Sequence, residues 1–410
     1  MKRTLTIIIV AFFLILAGLL GYYFFFLKKE VPPPEGGRGG GPIFPLPPAG
    51  EEEGGGAIEE GGEPGETERP AAVPRLQRVS AVPAAGAAVY RNGEEAVVRY
   101  IERGSGNVYE YQPVSQKSSR LTNKTLPKIY EALWTGNPDR LLIRYLKDGA
   151  ETVQTFEVLL DPASGTTTGN SLRDVTASFL EQNIRDIAVS PKGDRLFYLA
   201  GGSAGVAGIV SSTDGRQRER IFESNLVGWL ADWPAENVIT LTNSPTAGGA
   251  GFLYFLNPRS GLLSKVLGGL PGLTTLTNGD AGAVLLASSE GSSVKFSAFD
   301  VKTGESKDLP VRTLPEKCVW SKLQKHVVFC AVPKTLPFAV YPDFWYQGRV
   351  SFDDEIWKIN TATGAPEALF SAADRDYRPF DAIGLTLDPK EEYLVFSDKK
   401  DLTLWLLKTK

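Results

Sequence analysis

One short turn signature recurs through the chain, and its spacing restricts the fold more than any other feature. An Asp or Asn, or an Arg or Ser variant, leads into Gly in ERGSG ending at Gly106, DPASG at Gly165, SSTDG at Gly215, NPRSG at Gly261, DVKTG at Gly304 and NTATG at Gly364. The intervals are 59, 50, 46, 43 and 60 residues. Between the turns lie short runs with the two-residue period of half-buried strands, among them LLIRYL at 141, RLFYLA at 195, NVITLT at 237 and LTLWLL at 402. No amphipathic helix stands out beyond residue 73. A period near 45 to 50 with four short strands per unit is the pattern of a β-propeller blade.

Units fall near 84–120, 128–168, 184–224, 226–267, 273–309 and 316–370. After Gly364 only three strands remain, near 382–388, 392–397 and 401–408. LQRVSAV at 76–82 is the candidate fourth strand, because pairing the two ends of the repeat array closes the ring and removes exposed edges. The expected domain is therefore an all-β, seven-bladed propeller over 73–410, with six or eight blades left open.

A second feature falls upstream of the turns. Trp134, Trp229 and Trp320 precede a polar turn and an apolar strand, and Ser190 and Asp388 take about the same slot in IAVSPKGDRLFYLA and LTLDPKEEYLVFS. This resembles the WD40-like repeat of TolB-type propellers, Trp-Ser-Pro-Asp-Gly followed by an apolar strand. The resemblance covers most of 84–408, and SPKGDRLFY is the segment nearest the full motif. It implies a fold, and protein–protein contacts around the funnel; it names no activity, since such folds host many functions.

Ahead of the repeats, Leu5 to Leu27 is 23 residues without a charge, about 34 Å as a helix, enough for a single membrane span. The run exceeds the usual signal-peptide core and no small-x-small site follows it, so 1–27 is expected to be an uncleaved anchor. Lys2 and Arg3 favour a cytoplasmic N-terminus, although Lys28 and Lys29 pull the other way. Residues 28–72 are mostly Pro, Gly and Glu, a composition expected to be a disordered linker. The remainder holds 38 basic and 38 acidic side chains and offers no electrostatic footprint for a nucleic acid.

Composition also narrows the chemistry. One His argues against His-ligated metals, Ser-His-Asp hydrolysis and His general-base catalysis, and two Cys cannot build a four-cysteine zinc site. Cys318 and Cys330 stand six residues either side of Gln324; a turn centred there places them opposite each other and predicts a cross-strand disulfide, with two reduced thiols as the alternative. The Asp/Asn-to-Gly units are read as self-bonded turns rather than metal loops, and the repeated Trp residues as packing between blades rather than sugar platforms. His326 is expected at the surface.

The best site candidate is the irregular insertion from 333 to 355, where Tyr341, Phe344, Trp345 and Tyr346 crowd around Asp343 without a strand period. Aromatic residues on a long loop mark a recognition surface; the alternative is a lid with its rings folded onto the propeller. Asp353, Asp354 and Glu355 close the insertion and are read as solvated rather than as Ca²⁺ ligands. The leading expectation is a single-pass, inner-membrane-anchored, extracytoplasmic propeller that binds a protein or glycan in a cell envelope. No catalytic residue, metal or cofactor is assigned. Two rivals stand: a glycoside-acting enzyme using two funnel carboxylates, with Glu131, Asp186 and Asp381 as inner-strand candidates, and a structural subunit of a surface assembly.

Overall fold

The computed structural model describes residues 73–147, 152–161, 172–202, 205–371 and 378–410. The apolar run and the linker expected over 1–72, and the turn at Gly165, lie outside the described residues. Among the described residues no helix is long and apolar enough to cross a membrane.

Seven four-stranded antiparallel sheets follow one another along the chain. Each of the first six is a meander whose first strand lies innermost and whose fourth lies at the rim. The seventh combines three C-terminal strands, Ala382–Leu387, Tyr393–Asp398 and Leu404–Lys408, with Leu76–Arg78 as the fourth. Leu76 pairs with Leu407 and Arg78 with Trp405, so the ring closes through the strand expected to do so. The domain is a seven-bladed β-propeller.

Strand burial follows from the apolar patterns. In blade six Val327–Pro333 is buried at every position, because it is a second strand packed between two neighbouring blades. Outer strands are polar instead; Lys117–Arg120 is exposed throughout. That polarity explains one misplaced boundary. The outer strand of blade two is Val175–Phe179, beyond the expected end at 168, and its half-exposed VTASF carries little apolar signal. Clusters such as Phe197, Phe222, Trp233 and Leu241 join adjacent blades, and each fully buried side chain of this size contributes roughly 1.5–3 kcal/mol.

The turn signature behaves as self-bonded turns. Asn257 accepts from the backbone N–H groups of Arg259 and Ser260, Asp300 from those of Lys302 and Thr303, and Asn360 from those of Ala362 and Thr363. Gly261, Gly304 and Gly364 then take φ of 67°, 75° and 81°, the left-handed region that costs other residues strain.

The Trp reading needs one correction. Trp320 Nε1 donates to Leu276 O of the preceding blade, and Trp229 packs edge-on to Phe222 of the preceding blade. Trp229, however, opens its strand, Trp229–Ala235, and Trp233 occupies the slot before the turn, where it is 2% exposed beneath Arg195 of blade three. Pairing of Ala235 with Val238 fixes the turn and thereby which Trp precedes it. In blade six Cys318 pairs with Cys330 across the first hairpin, and the two sulfurs are bonded. His326 is half-buried beside that hairpin's turn.

Meander topology sorts the loops onto two faces. Second-to-third-strand loops and blade-to-blade connections emerge on one, here the upper face, together with the insertion. First-to-second-strand hairpins emerge on the lower face.

Candidate functional site

The insertion joins the second and third strands of blade six and folds down across the upper face. A four-residue helix, Asp343–Tyr346, forms its centre. Tyr341, in the turn before the helix, and Trp345, on the helix, both turn their rings to one side. That side is inward: they are 0% and 3% exposed, and Trp345 stacks on Phe352 with centroids 6.1 Å apart. The expectation of exposed aromatic platforms is therefore corrected for Tyr341 and Trp345, which are interior residues of a lid. Phe344 is half-buried under the Arg349 guanidinium, and Tyr346 is exposed.

Polar contacts seat this lid on four blades. The Asp343 carboxylate accepts from Thr246 Oγ1 (2.7 Å) and Ala247 N (2.8 Å) on blade four, which hold its pKa below the usual range against the opposing effect of burial. Ser289 of blade five donates to Tyr341 O, and Tyr346 donates its hydroxyl proton to Glu316. Lys399 Nζ, on blade seven, donates to Trp345 O at 2.8 Å.

Beneath the lid lies a charged cluster that the sequence did not disclose. Lys317 Nζ contacts Asp354 Oδ2 (2.7 Å), Asp381 Oδ1 (2.5 Å) and Ala382 O (2.9 Å), and all three charged side chains are 0% exposed. Asp354, expected to be solvated, is one of the three charged members of a buried ion cluster. Burial raises its carboxyl to about 6 despite Lys317. Burial also acts on Asp381, but Lys317 and the N–H donors of Phe352 and Trp345 outweigh it and hold that carboxyl low. Asp353 pairs with Lys334 at 2.7 Å.

The proposed enzymatic carboxylates are likewise engaged. Glu131 bonds Arg144, whose guanidinium also reaches Ile184 O in blade three. Asp186 accepts from Ile187 N and from Ala231 N of blade four, and burial pushes it up to about 6. Each therefore joins blades. Among the described residues, Asp232 and Glu316 line one cavity of about 100 Å³ in the channel. Desolvation by the surrounding channel wall raises both carboxyls, although Asp232 is exposed to the channel and Glu316 is half-buried. That volume falls short of the roughly 300 Å³ at which small-molecule pockets begin.

Away from the lid, the upper face of blades seven, one, two and three is open. A groove of about 1030 Å³ is lined by Val82, Pro83, Ile129, Leu146, Val153 and Leu402. Val82 and Leu146 are 43% and 45% exposed. It adjoins at Tyr130 and Val153 a more polar cleft of about 520 Å³ carrying Asn183 and Arg185. Sequence reasoning missed this strip because its residues come from many separate loops and strand ends.

No protein-family model matches the chain, and no curated protein does. Solved structures do. TolB from Acinetobacter baumannii aligns at 15% identity over 66% of this chain and 61% of its own, with a TM-score of 0.43. An oligogalacturonate lyase from Vibrio parahaemolyticus aligns at 9% identity over 82% and 93%, TM-score 0.49. The GH74 xyloglucanase from Xanthomonas campestris aligns at 13% identity over 82% and 53%, TM-score 0.53. The likeness is one of fold. The chain spans about three fifths of the TolB chain and about half of the xyloglucanase.

Proposed function

We propose that this chain is a membrane-tethered, extracytoplasmic β-propeller of a cell envelope, and that the open half of its upper face binds a partner. The carrying observation is the groove of about 1030 Å³ with its apolar lining, beside a face half-closed by the lid. Exposed contiguous apolar surface of this kind favours an apolar segment of a protein over a glycan. The hydrogen-bonded strands of the blades hold Ile129, Leu146 and Val153 at the groove wall, which limits the ordering cost of binding. The Cys318–Cys330 bond suits an oxidising compartment, and the uncharged run at 5–27 is long enough to hold the chain at a membrane. Of the insertion's aromatic residues, Phe338 (91% exposed) and Tyr346 lie at the surface and Phe344 is half-buried, and this reading takes them as a second contact edge.

Site-specific photo-crosslinking in the full-length chain tests this. A crosslinker replacing Leu146 captures one discrete partner, and a crosslinker replacing Leu262, 66% exposed on the lower face, does not. Val153→Asp abolishes capture from Leu146 while leaving the melting temperature within a few degrees. Equal capture from both positions, or capture indifferent to Val153→Asp, sinks the assignment of the groove.

A further inference from the structure

The channel cavity has a composition that the binding-module reading does not use. Its polar lining is oxygen only: the Asp232 and Glu316 carboxylates and the hydroxyls of Thr240, Thr242, Thr274 and Thr277, together with Thr275. Some of these groups are satisfied. Thr242 and Thr275 share a hydrogen bond of 2.8 Å, and Asp232 accepts the Trp233 N–H at 2.8 Å. Others are not. Thr274 and Thr277 are 2% and 5% exposed, yet each Oγ1 lacks a partner, as does the buried Oε2 of Glu316. Thr274 lies near enough to favour the charged form of Glu316, but without hydrogen-bond geometry.

Buried polar atoms without partners are costly, so a lining that leaves three of them facing one space is built around an occupant. No Lys or Arg is in that lining, and the nearby Lys317 is already committed to Asp354 and Asp381. Two carboxylates without a cation, set among hydroxyls, match a hard cation that prefers oxygen ligands; the lining has no nitrogen or sulfur side chain to suit zinc or copper. About 100 Å³ leaves room for an ion with part of its water shell. Asp232 and Thr277 also line the lower mouth of the channel, a space of about 660 Å³, which gives an entry route that leaves the lid in place.

We propose that this cavity is a binding site for a hard divalent cation of the calcium class, held by Asp232, Glu316, Thr274 and Thr277. Two carboxylates balance its charge, and the small number of charged ligands predicts a Kd on the order of 10⁻⁴–10⁻³ M.

The test uses the full-length chain in mild detergent after chelation. Saturating Ca²⁺ raises the melting temperature by about 2–5 °C. Tb³⁺ gives emission sensitised by tryptophan excitation, since Trp233 adjoins Asp232. Asp232→Asn with Glu316→Gln abolishes both signals, and the metal-free variant melts no lower than the native chain, because the channel wall disfavours the charged form of both carboxyls. Thr277→Val, which deletes only an unpartnered hydroxyl, keeps the fold and weakens the Ca²⁺ response several-fold. No Ca²⁺ shift and no Tb³⁺ emission in the native chain overturns the proposal and leaves water as the occupant. Signals that survive in the double variant also overturn it, by assigning the cation to another acidic segment such as the glutamates of 51–68.

Discussion

Replacing Lys317 by Met removes the cation from the buried cluster while nearly keeping side-chain length. Nζ lies 2.7 Å from Asp354 and 2.5 Å from Asp381, with all three side chains withdrawn from solvent. At an effective dielectric of about 20, Coulomb attraction over such distances is roughly 6 kcal/mol per contact, and desolvation of the ammonium offsets several kcal/mol of it. What the substitution leaves is two buried carboxylates without a counter-ion, a change that costs about 3–5 kcal/mol. The cost depends on pH with a definite sign. Asp354 already has a folded pKa of about 6, above its unfolded value, so it favours the folded state at low pH and loses that contribution as pH rises through 6. Without Lys317 the low pKa of Asp381 is lost as well, and both carboxyls rise. The deficit of Lys317→Met is therefore largest above pH 7 and shrinks by at least about 1 kcal/mol at pH 5, where protons replace the ammonium. Urea unfolding of native and variant chains at pH 8 and pH 5 measures this directly. Because Asp381 also accepts from Trp345 Nε1 and Phe352 N, limited proteolysis of the variant should cut first within 334–353. A deficit under about 1 kcal/mol at pH 8, or one equal at both pH values, refutes the argument.

Other outcomes follow from single features. Converting both Cys318 and Cys330 to Ser opens a cross-link spanning 12 residues and should lower stability by about 2–3 kcal/mol, with reductant giving a similar loss in the native chain; coincident melts with and without reductant would refute it. Gly193→Ala should cost about 2–4 kcal/mol, because φ is 71° and the new Cβ would lie 1.5 Å from Thr135 O. Gly304→Ala, at φ 75° with nothing within 4 Å, should cost only about 1 kcal/mol, so equal losses would contradict the steric account. Deleting 73–79 leaves Leu404–Lys408 as an unpaired edge and should yield concentration-dependent association in sedimentation; a monomer as stable as the parent would argue against closure by that strand.

The ring was legible because its information is local and repeated. Alternation marks LLIRYL and RLFYLA as strands, the Gly of each turn signature marks a hairpin, and the symmetry of Cys318 and Cys330 about Gln324 sets the pairing seen in blade six. Blade two lost its outer boundary because VTASF lacks an apolar stripe. The insertion was flagged for its missing period, yet ring direction follows from one short helix and from Phe352, so Tyr341 and Trp345 looked equally suited to display or burial. Lys317 was illegible for a different reason. Its partners lie 37 and 64 residues downstream, and a single Lys in PEKC carries no sign that two acids from separate loops converge on it. Asp232 and Glu316 likewise come to one cavity from different blades, 84 residues apart in sequence.

The strand that closes the ring is also where the first 72 residues attach. Leu76–Arg78 is three residues long, reinforced by Gln77 accepting the Tyr111 hydroxyl and by Arg75 donating to Lys408 O. A pull on the chain ahead of Val73 acts on these bonds before it reaches any complete blade. Release of the closing strand and opening of the ring are then one mechanical event, with Leu76–Arg78 as the fuse and the disulfide-braced sixth blade outside the loaded path.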